Sequence, residues 1–96
     1  MRYGENLAFF SPVGIADPAR VVGGWYAEAE RYDFSRPGFS FEAGHFTQVV
    51  WVGTREVGCG VARCGDRAEI WVCNYGPPGN VQGEFERNVL PAGCRR

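Results

Sequence analysis

The chain of 96 residues carries a formal net charge of −1, and its ten basic residues are all arginine, scattered along the sequence. Nucleic-acid-binding proteins concentrate basic charge on one surface, so this dispersed, nearly neutral pattern argues against a nucleic-acid partner. No apolar run approaches the roughly 20 residues of a membrane span, and the polar residues after Met1 do not read as a signal peptide. A domain of this size buries roughly 60–70% of its unfolded surface, so the core alone leaves it marginally stable.

Four cysteines, at positions 59, 64, 73 and 94, are available to form disulfide bonds. An even number of cysteines in a short chain rich in glycine and aromatic residues favours an oxidising compartment and one or two disulfides. A zinc–cysteine site is the weaker alternative, because Cys59 and Cys64 are separated by four residues and no second ligand pair completes a tetrahedral set. We therefore expect an extracellular, secreted domain.

The predicted elements begin with the short apolar stretch GENLAFF, which we interpret as one or two helical turns. The clearest helix is ADPARVVGGWYAEAERYD, because Asp17 can cap it and Pro18 suits its first position. Apolar residues recur along this segment at helical spacing: Val21, Val22, Trp25, Ala29 and Tyr32. The connection FSRPGFSFEAG follows, and it is more apolar than an ordinary surface loop.

Three later segments, HFTQVVWV, EVGCGVARC and EIWVCNY, predict the strands of an antiparallel meander. Turns at Gly53-Thr54 and around CGDR would link them. The tail GPPGNVQGEFERNVLPAGCRR is punctuated by proline and glycine and predicts an ordered loop that wraps the sheet. The predicted fold class is therefore α+β.

Two glutamates and the single histidine are candidates for one cleft. On a helical wheel Glu28 lies about 20° from Val21, on the apolar stripe, whereas Glu30 faces solvent. A buried carboxylate needs a donor or a cation, and Glu5, among apolar neighbours in YGENLA, has the same need. His45 could meet both of them. Equally, the three could be unrelated hydrogen-bonded side chains, since a lone histidine is most often structural.

Four motifs in the same order give the sequence a family resemblance. GHFTQVVW and WVCNYGPPGN resemble the paired signatures of the CAP superfamily of cysteine-rich secretory, antigen 5 and pathogenesis-related class one proteins. YGENLA and the WYAE of the helix fit its two other landmarks. The ending GNVQGEFERNVLP is most similar to the fungal sterol-binding branch. The resemblance implies that residues 1–91 form the C-terminal two-thirds of a CAP (SCP) domain, followed by a tail at 92–96, with the family's first helix missing.

The resemblance implies an α-β-α sandwich around a central antiparallel sheet, with a cleft that holds two histidines and two glutamates. Glu5, Glu28 and His45 correspond to three of these four, and the upstream histidine has no counterpart. Some family members bind zinc or another divalent ion in this cleft through two histidines. His45 is therefore the candidate metal ligand here, in a site that lacks the second histidine. We expect no required cofactor and at most weak zinc binding, with the three residues still clustered.

The cysteines can be paired by the predicted hairpin. If it is centred near Asp66, Cys59 faces Cys73 across neighbouring strands, and the family's usual pairing agrees, so we predict that disulfide. Cys64 then lacks its usual partner and is either free or joined to Cys94. A missing first helix would leave Trp51 or Trp71 poorly covered, which favours self-association.

Two classes of function fit these features. One is a non-enzymatic, defence-related module that binds a sterol or another small lipid, as the resemblance to the fungal branch implies. The other is a metal-assisted hydrolase or peptidase that uses the histidine–glutamate cleft. A hydrolase needs a nucleophile or metal-bound water with a positioned base, and Glu28 could serve as that base. Because the remaining catalytic parts are missing from the sequence, we favour binding.

The aromatic connection is the predicted lipid site, formed by Phe34, Pro37, Phe39 and Phe41. A sterol has one hydroxyl and a large apolar body, so its site needs aromatic walls and hardly any charge. The family resemblance also links the similar loop of the fungal relatives to sterol. The alternative is that these rings fold back into the core of a small domain that is short of apolar mass.

Overall fold

The fold is a three-stranded antiparallel sheet with helices packed on one face, seen in a computed structural model that describes residues 2–94, for Cys94 without its side chain. In chain order the elements are strand β1 (Gly4–Phe10), helix α1 (Pro18–Tyr26), a 3-10 turn (Ala27–Arg31), helix α2 (Gly44–Val49), strand β2 (Glu56–Cys64), strand β3 (Ala68–Gly76), helix α3 (Phe85–Asn88) and a 3-10 turn (Ala92–Cys94). The predicted α+β class is confirmed. None of these helices has the length and apolar character needed to cross a membrane.

The centre of the sheet is β3, with β1 on one side and β2 on the other, both antiparallel to it. The β2–β3 hairpin turns at residues 65–67, as the sequence predicts, and it aligns Cys59 with Cys73. These two residues form a disulfide with their Cα atoms 4.1 Å apart, which confirms the predicted pairing. Cys64 is exposed and free, and its alternative bond to Cys94 involves a side chain outside the described residues.

Three elements differ from the sequence prediction, and one of them is α3 (Phe85–Asn88), a short helix within the tail that was predicted to be a loop. GENLAFF is strand β1 rather than helical turns, because Gly4–Phe10 pairs residue by residue with β3. The segment from His45 is helix α2 rather than a strand, because its first N–H groups are held by Glu28 and three consecutive residues, Phe46, Thr47 and Gln48, are buried together. The third strand of the sheet is therefore supplied from the start of the chain.

Helix α1 follows its sequence signals. The Asp17 side chain accepts a hydrogen bond from the Arg20 N–H at 2.8 Å and caps the helix, with Pro18 in its first turn. Val21 and Trp25, four residues apart, are buried against the sheet in a cluster with Cys73 and Tyr75. The helix then tightens into the 3-10 turn that carries Glu28, while Tyr32 remains buried beyond it.

Only one face of the sheet is covered by the described helices. Strand alternation directs Asn6, Cys73 and Tyr75 towards the helices, where they are buried, and leaves Leu7 and Phe9 exposed on the other face. The expectation for Trp51 is wrong, because it packs edge to face on Phe85 and is buried. Trp71 is half-buried. The described residues thus hold the sheet and one helical layer of the sandwich.

A buried carboxylate joins the ends of β2 and β3. Glu69 is 1% exposed and accepts hydrogen bonds from Arg63 Nε at 3.0 Å and Trp71 Nε1 at 3.2 Å. The Arg63 bond, followed by the Trp71 bond, lowers the pKa of Glu69 below its ordinary value of 4.5. A carboxyl whose pKa is depressed on folding stabilises the protein above its unfolded pKa, and this contribution is lost as pH falls through its folded pKa.

We therefore expect the urea midpoint of unfolding to fall as pH drops from above 4.5 through the lowered pKa of Glu69. The variant Glu69→Gln should be less stable at pH 7 and should lose less stability on acidification. Urea titrations of both proteins between pH 7 and pH 3 provide the measurement. An equal acid-induced loss in the parent and the variant would show that Glu69 is not the group responsible.

Candidate functional site

The centre of the candidate cleft is a contact between Glu28 and His45. Glu28 Oε1 accepts hydrogen bonds from the backbone N–H groups of His45 at 3.0 Å and Phe46 at 3.2 Å. Its other oxygen, Oε2, lies 2.8 Å from His45 Nδ1. One carboxylate therefore holds both the imidazole and the N–H groups of the second and third residues of α2, which would otherwise lack acceptors. This explains why a glutamate can be half-buried at this point.

The imidazole of His45 lies between this carboxylate and an indole. Its ring stacks on Trp25 with centroids 6.0 Å apart and an interplanar angle of 15°. The His45 backbone carbonyl accepts a hydrogen bond from Asn6 Nδ2, which ties α2 to β1. Because Nδ1 is taken by Glu28, Nε2 is the ring nitrogen left for another partner. The side chain is 39% exposed, so such a partner could reach it from solvent.

The structure does not bring Glu5 to this pair, contrary to the sequence prediction. Glu5 precedes Asn6 on β1, and successive strand residues point to opposite faces. Asn6 is buried towards His45, so Glu5 is exposed on the open face of the sheet. The prediction placed Glu5 in a helical segment, where this alternation does not apply.

The residues of the cleft do not fit a zinc site. A protein zinc site uses three or four ligands in tetrahedral arrangement. Across residues 2–94, no three side chains of histidine, cysteine, aspartate or glutamate are grouped so that they could hold a metal ion. Glu28 is moreover committed to hydrogen bonds with α2, which leaves His45 as a single available ligand. Weak zinc binding stays a prediction.

A polar network that the sequence analysis missed fastens the GPPGN loop, residues 76–80, onto α2. Thr47 Oγ1 donates to Asn80 Oδ1 at 2.6 Å, and Asn80 Nδ2 donates to the Gly44 carbonyl at 3.0 Å. Gln48 Oε1 accepts from the Gly79 N–H at 2.9 Å. Asn80 has a φ of 58°, a left-handed conformation that asparagine tolerates. The asparagine after Pro-Pro-Gly was the available sequence signal.

The four residues predicted to bind lipid lie on residues 34–41, which we call the aromatic loop. Phe41 is 92% exposed and Phe39 is 55% exposed, and their rings meet edge to face with centroids 5.3 Å apart. Phe34 instead packs on Tyr32 and Phe46, with its ring 4.8 Å from that of Tyr32. Pro37 is exposed. The rings of Phe39 and Phe41 therefore do not fold back into the core.

The aromatic loop borders a cavity of about 610 Å³, which we call the loop cavity. Its other wall belongs to the C-terminal segment, and its lining consists of Pro37, Gly38, Phe39, Asn80, Gln82, Gly83 and Phe85. The lining contains no charged side chain, and two amide side chains supply its polar groups. The loop cavity is thus a mixed site, with aromatic and small residues on both walls and the amides on the C-terminal wall.

Next to the loop cavity, the hydroxyl of Tyr32 is buried without a hydrogen-bond partner among the described residues. Burial raises the pKa of this hydroxyl, and the nearby backbone N–H of Gly38 lowers it, although the two do not form a well-aligned hydrogen bond. An unsatisfied buried hydroxyl costs about 1–3 kcal/mol. The hydroxyl does not line the loop cavity, and Gly38, which does, lies between the two.

Comparison with known families matches residues 3–75 to the CAP model, the cysteine-rich secretory protein family. The chain belongs to the CAP family. The matched range includes the Glu28–His45 pair, the aromatic loop and the disulfide, so all three lie within the family domain. The family resemblance that the four sequence motifs carry is thereby confirmed.

Relatives of this CAP chain are found in fungi and animals. It is 52% identical over 91 residues to protein PRY2 of Saccharomyces cerevisiae, covering 93% of this chain and 26% of that protein. It is 43% identical over 90 residues to Golgi-associated plant pathogenesis-related protein 1 of Homo sapiens, covering 92% of this chain and 57% of that protein. The CAP chain thus spans between about a quarter and just over half of these relatives.

Solved structures give the same result for the fold. The crystal structure of NaASP2 with Zn²⁺ superposes with a TM-score of 0.68 at 33% identity, covering 85% of this chain and 47% of that chain. The helices and the three-stranded antiparallel sheet of the CAP chain therefore reproduce part of a known family fold.

Proposed function

We propose that this CAP chain is a secreted, non-enzymatic module that binds a sterol or a similar small lipid between the aromatic loop and the C-terminal segment. The observation that carries the proposal is the exposure of Phe39, which lines the loop cavity, and of Phe41, whose ring packs on that of Phe39. Large aromatic side chains bury much apolar area when they are covered, so leaving two adjacent ones in water is costly without a ligand. A lipid laid against them would remove that area from water.

The loop cavity has the size of a small-lipid site, and its lining carries no charge. Its volume of about 610 Å³ falls within the 300–1,000 Å³ typical of small-molecule pockets. A sterol offers one oxygen, and we infer that the unpaired Tyr32 hydroxyl donates a hydrogen bond to it once the ligand displaces the wall at Gly38. Asn80 and Gln82 add amide groups at the far wall, while the rest of the lining suits an apolar body.

The hydrogen bonds that the cleft residues already make also favour a binding role over a hydrolytic one. Glu28 accepts three polar contacts from His45 and Phe46, so it closes a helix terminus rather than facing a substrate as a free base. Glu5, the other carboxylate assigned to the cleft, lies on the opposite face of the sheet. A hydrolytic site would need a positioned nucleophile and base, and the described residues give no such arrangement.

The secreted location is supported by the covalent chemistry of the chain. The Cys59–Cys73 disulfide joins neighbouring strands and is the kind of bond that forms and persists in oxidising compartments.

The test is a titration of the parent, Phe39→Ala and Phe41→Ala with radiolabelled cholesterol. Each ring buried against ligand contributes about 1.5–3 kcal/mol, so each variant should bind at least about tenfold more weakly. Phe9→Ala is the matched control, because Phe9 is also an exposed phenylalanine, at 66%, but lies on the open face of the sheet. Circular dichroism confirms that each variant is folded.

Two outcomes would overturn the assignment. Unchanged binding in both loop variants would show that the aromatic loop does not hold the ligand. Loss of binding in His45→Ala alone would place the ligand in the histidine–glutamate cleft. The variant Tyr32→Phe refines the position, because it should weaken cholesterol binding by about fivefold while making the protein at least as stable as the parent, since it removes an unpaired buried hydroxyl.

A further inference from the structure

The strand β2 presents an unprotected backbone edge. The strand order places β2 at one edge of the sheet and β1 at the other. At the β1 edge, the Leu7 carbonyl accepts a hydrogen bond from Trp25 Nε1 at 3.2 Å. Within residues 2–94, no hydrogen bond reaches the outer backbone groups of β2, and all nine of its residues are exposed. Half of its N–H and C=O groups therefore point outward without protein partners.

The features that normally block pairing at such an edge are missing from the middle of β2. Proteins protect edge strands with charges, prolines, bulges or a covering segment. The stretch 57–62, VGCGVA, contains no charge and no proline. Val57 and Val61 are exposed on the helix-bearing face, and Val61 lines an apolar slot of about 300 Å³ between β2 and α1. An exposed valine of α1, Val22, forms part of the same slot.

The middle of β2 is also a palindrome. Residues 57–61 read Val-Gly-Cys-Gly-Val in either direction, with Cys59 at the centre. A twofold axis perpendicular to the sheet at Cys59 would pair two copies of the strand antiparallel while keeping both helical layers on the same side. In that register Val57 of one copy faces Val61 of the other, and glycine faces glycine.

We propose that β2 pairs antiparallel with β2 of a second copy of the chain, which makes one continuous six-stranded sheet. The outer backbone groups then become a hydrogen-bonded ladder, and two valine pairs form on the helix-bearing face, where β-branched cross-strand pairs are favourable. Glu56 lies opposite Ala62, and beyond this stretch Arg55 of one copy faces Arg63 of the other, a like-charge contact that is eased because Arg63 is paired with the carboxylate of Glu69. The second copy also covers the slot between β2 and α1.

The proposed interface is small, so the dimer is expected to be weak. It consists of one strand and a few apolar side chains on each copy, below the roughly 1,200 Å² of a stable complex. We therefore expect a reversible dimer with a dissociation constant of about 1 µM or weaker. Because Arg55 of each copy faces Arg63 of the other, higher salt should screen their repulsion and strengthen the dimer slightly. The proposed dimer contact does not involve the aromatic loop, so it can be tested independently of lipid binding.

The test is sedimentation equilibrium of the full chain from about 10 µM to 1 mM, with Val61→Lys and its matched control Val81→Lys. Val61 and Val81 have similar exposure, 43% and 40%, but Val81 lies in the C-terminal loop and not on β2. We expect the parent and Val81→Lys to dimerise. Val61→Lys, which places a charge on the strand edge, should weaken the dimer at least about tenfold.

A monomeric parent at about 1 mM would overturn the proposal. So would a Val61→Lys variant that is folded by circular dichroism and dimerises like the parent. Val57→Lys is the second variant, because Val57 is more exposed and tolerates the change more readily. If Phe9→Ser abolishes the dimer and both valine variants keep it, the copies meet through the open sheet face and the edge pairing is wrong.

Discussion

Replacing Cys59 and Cys73 together by alanine is expected to lower the free energy of unfolding by about 3 kcal/mol. The disulfide closes a segment with a sequence separation of 14, and cross-linking a loop of this size restricts the unfolded chain by about that amount. A 96-residue domain has a small core, so this is a large share of its stability. Urea titration at pH 7 gives the measurement.

The matched control is Cys64→Ala, which removes a cysteine from the same hairpin without breaking the Cys59–Cys73 bond. Because Cys64 is exposed, its replacement should change the free energy of unfolding by less than about 0.5 kcal/mol. If the double variant were as stable as Cys64→Ala, the hairpin would be held by its hydrogen bonds and packing alone.

The variant Glu28→Ala is expected to cost about 2–4 kcal/mol of stability and to loosen the N-terminal end of α2. It removes the acceptor for two backbone N–H groups and the partner of His45 Nδ1, and hydrogen bonds to a charged acceptor contribute about 1.5–3 kcal/mol each. The expected loss of stability is smaller than the sum of these bonds, because solvent can reach part of this cleft and replace some of them. Thermal unfolding with amide exchange at His45 and Phe46 gives the measurement.

The control for this variant is Glu30→Ala, two residues further along the same 3-10 turn. Glu30 is exposed, so its loss should leave both the melting temperature and the exchange rates close to those of the parent. Equal effects from the two substitutions would mean that the loss of a glutamate in this turn, and not the hydrogen bonds of Glu28, destabilises the protein.

Much of the fold could be predicted because local signals and tertiary structure agree. The Asp17 cap, Pro18 and the helical spacing of Val21 and Trp25 all specify α1, and the chain forms it there. The turn around Asp66 likewise fixes the hairpin register, which in turn fixes the disulfide. Where the local signal was weak, the prediction was wrong. GENLAFF contains too few residues to show a period, and its conformation is decided by pairing with β3.

Helix α2 shows how a distant side chain can override propensity. GHFTQVV contains two adjacent valines and alternates enough to resemble a strand. What makes it helical is the Glu28 carboxylate, which meets its first N–H groups from 17 residues away, together with the burial of Phe46, Thr47 and Gln48. No local pattern encodes that contact.

The candidate site was predictable where it depends on helical periodicity and composition. The position of Glu28 on the apolar side of its helix correctly indicated a polar partner, and the partner is His45. The composition of the aromatic loop indicated rings without a core role, which holds for Phe39 and Phe41. The unpaired Tyr32 hydroxyl and the Asn80 network were not predictable, because both depend on how the loop and the C-terminal segment meet.

Helix α2 is held in place by hydrogen bonds and packing, whereas two rings of the aromatic loop are exposed to solvent. Glu28 and Asn80 fasten α2 to the 3-10 turn and to the GPPGN loop, while Phe46 in α2 supports Phe34 at the base of the aromatic loop. Phe39 and Phe41 extend from that base into solvent. The arrangement suits binding of a lipid by exposed rings on a fixed scaffold, because little of the core must reorganise when the ligand enters.

The most direct test of this account is to locate a bound sterol by labelling. The parent chain is irradiated with a photoreactive diazirine analogue of cholesterol, with and without excess cholesterol, and the labelled peptides are identified by mass spectrometry. We predict saturable labelling confined to residues 34–41 and 80–85, competed by cholesterol and lost in the double variant Phe39→Ala/Phe41→Ala. Labelling that cholesterol does not compete, or that falls on His45 or the open sheet face around Leu7 and Phe9, would contradict the account.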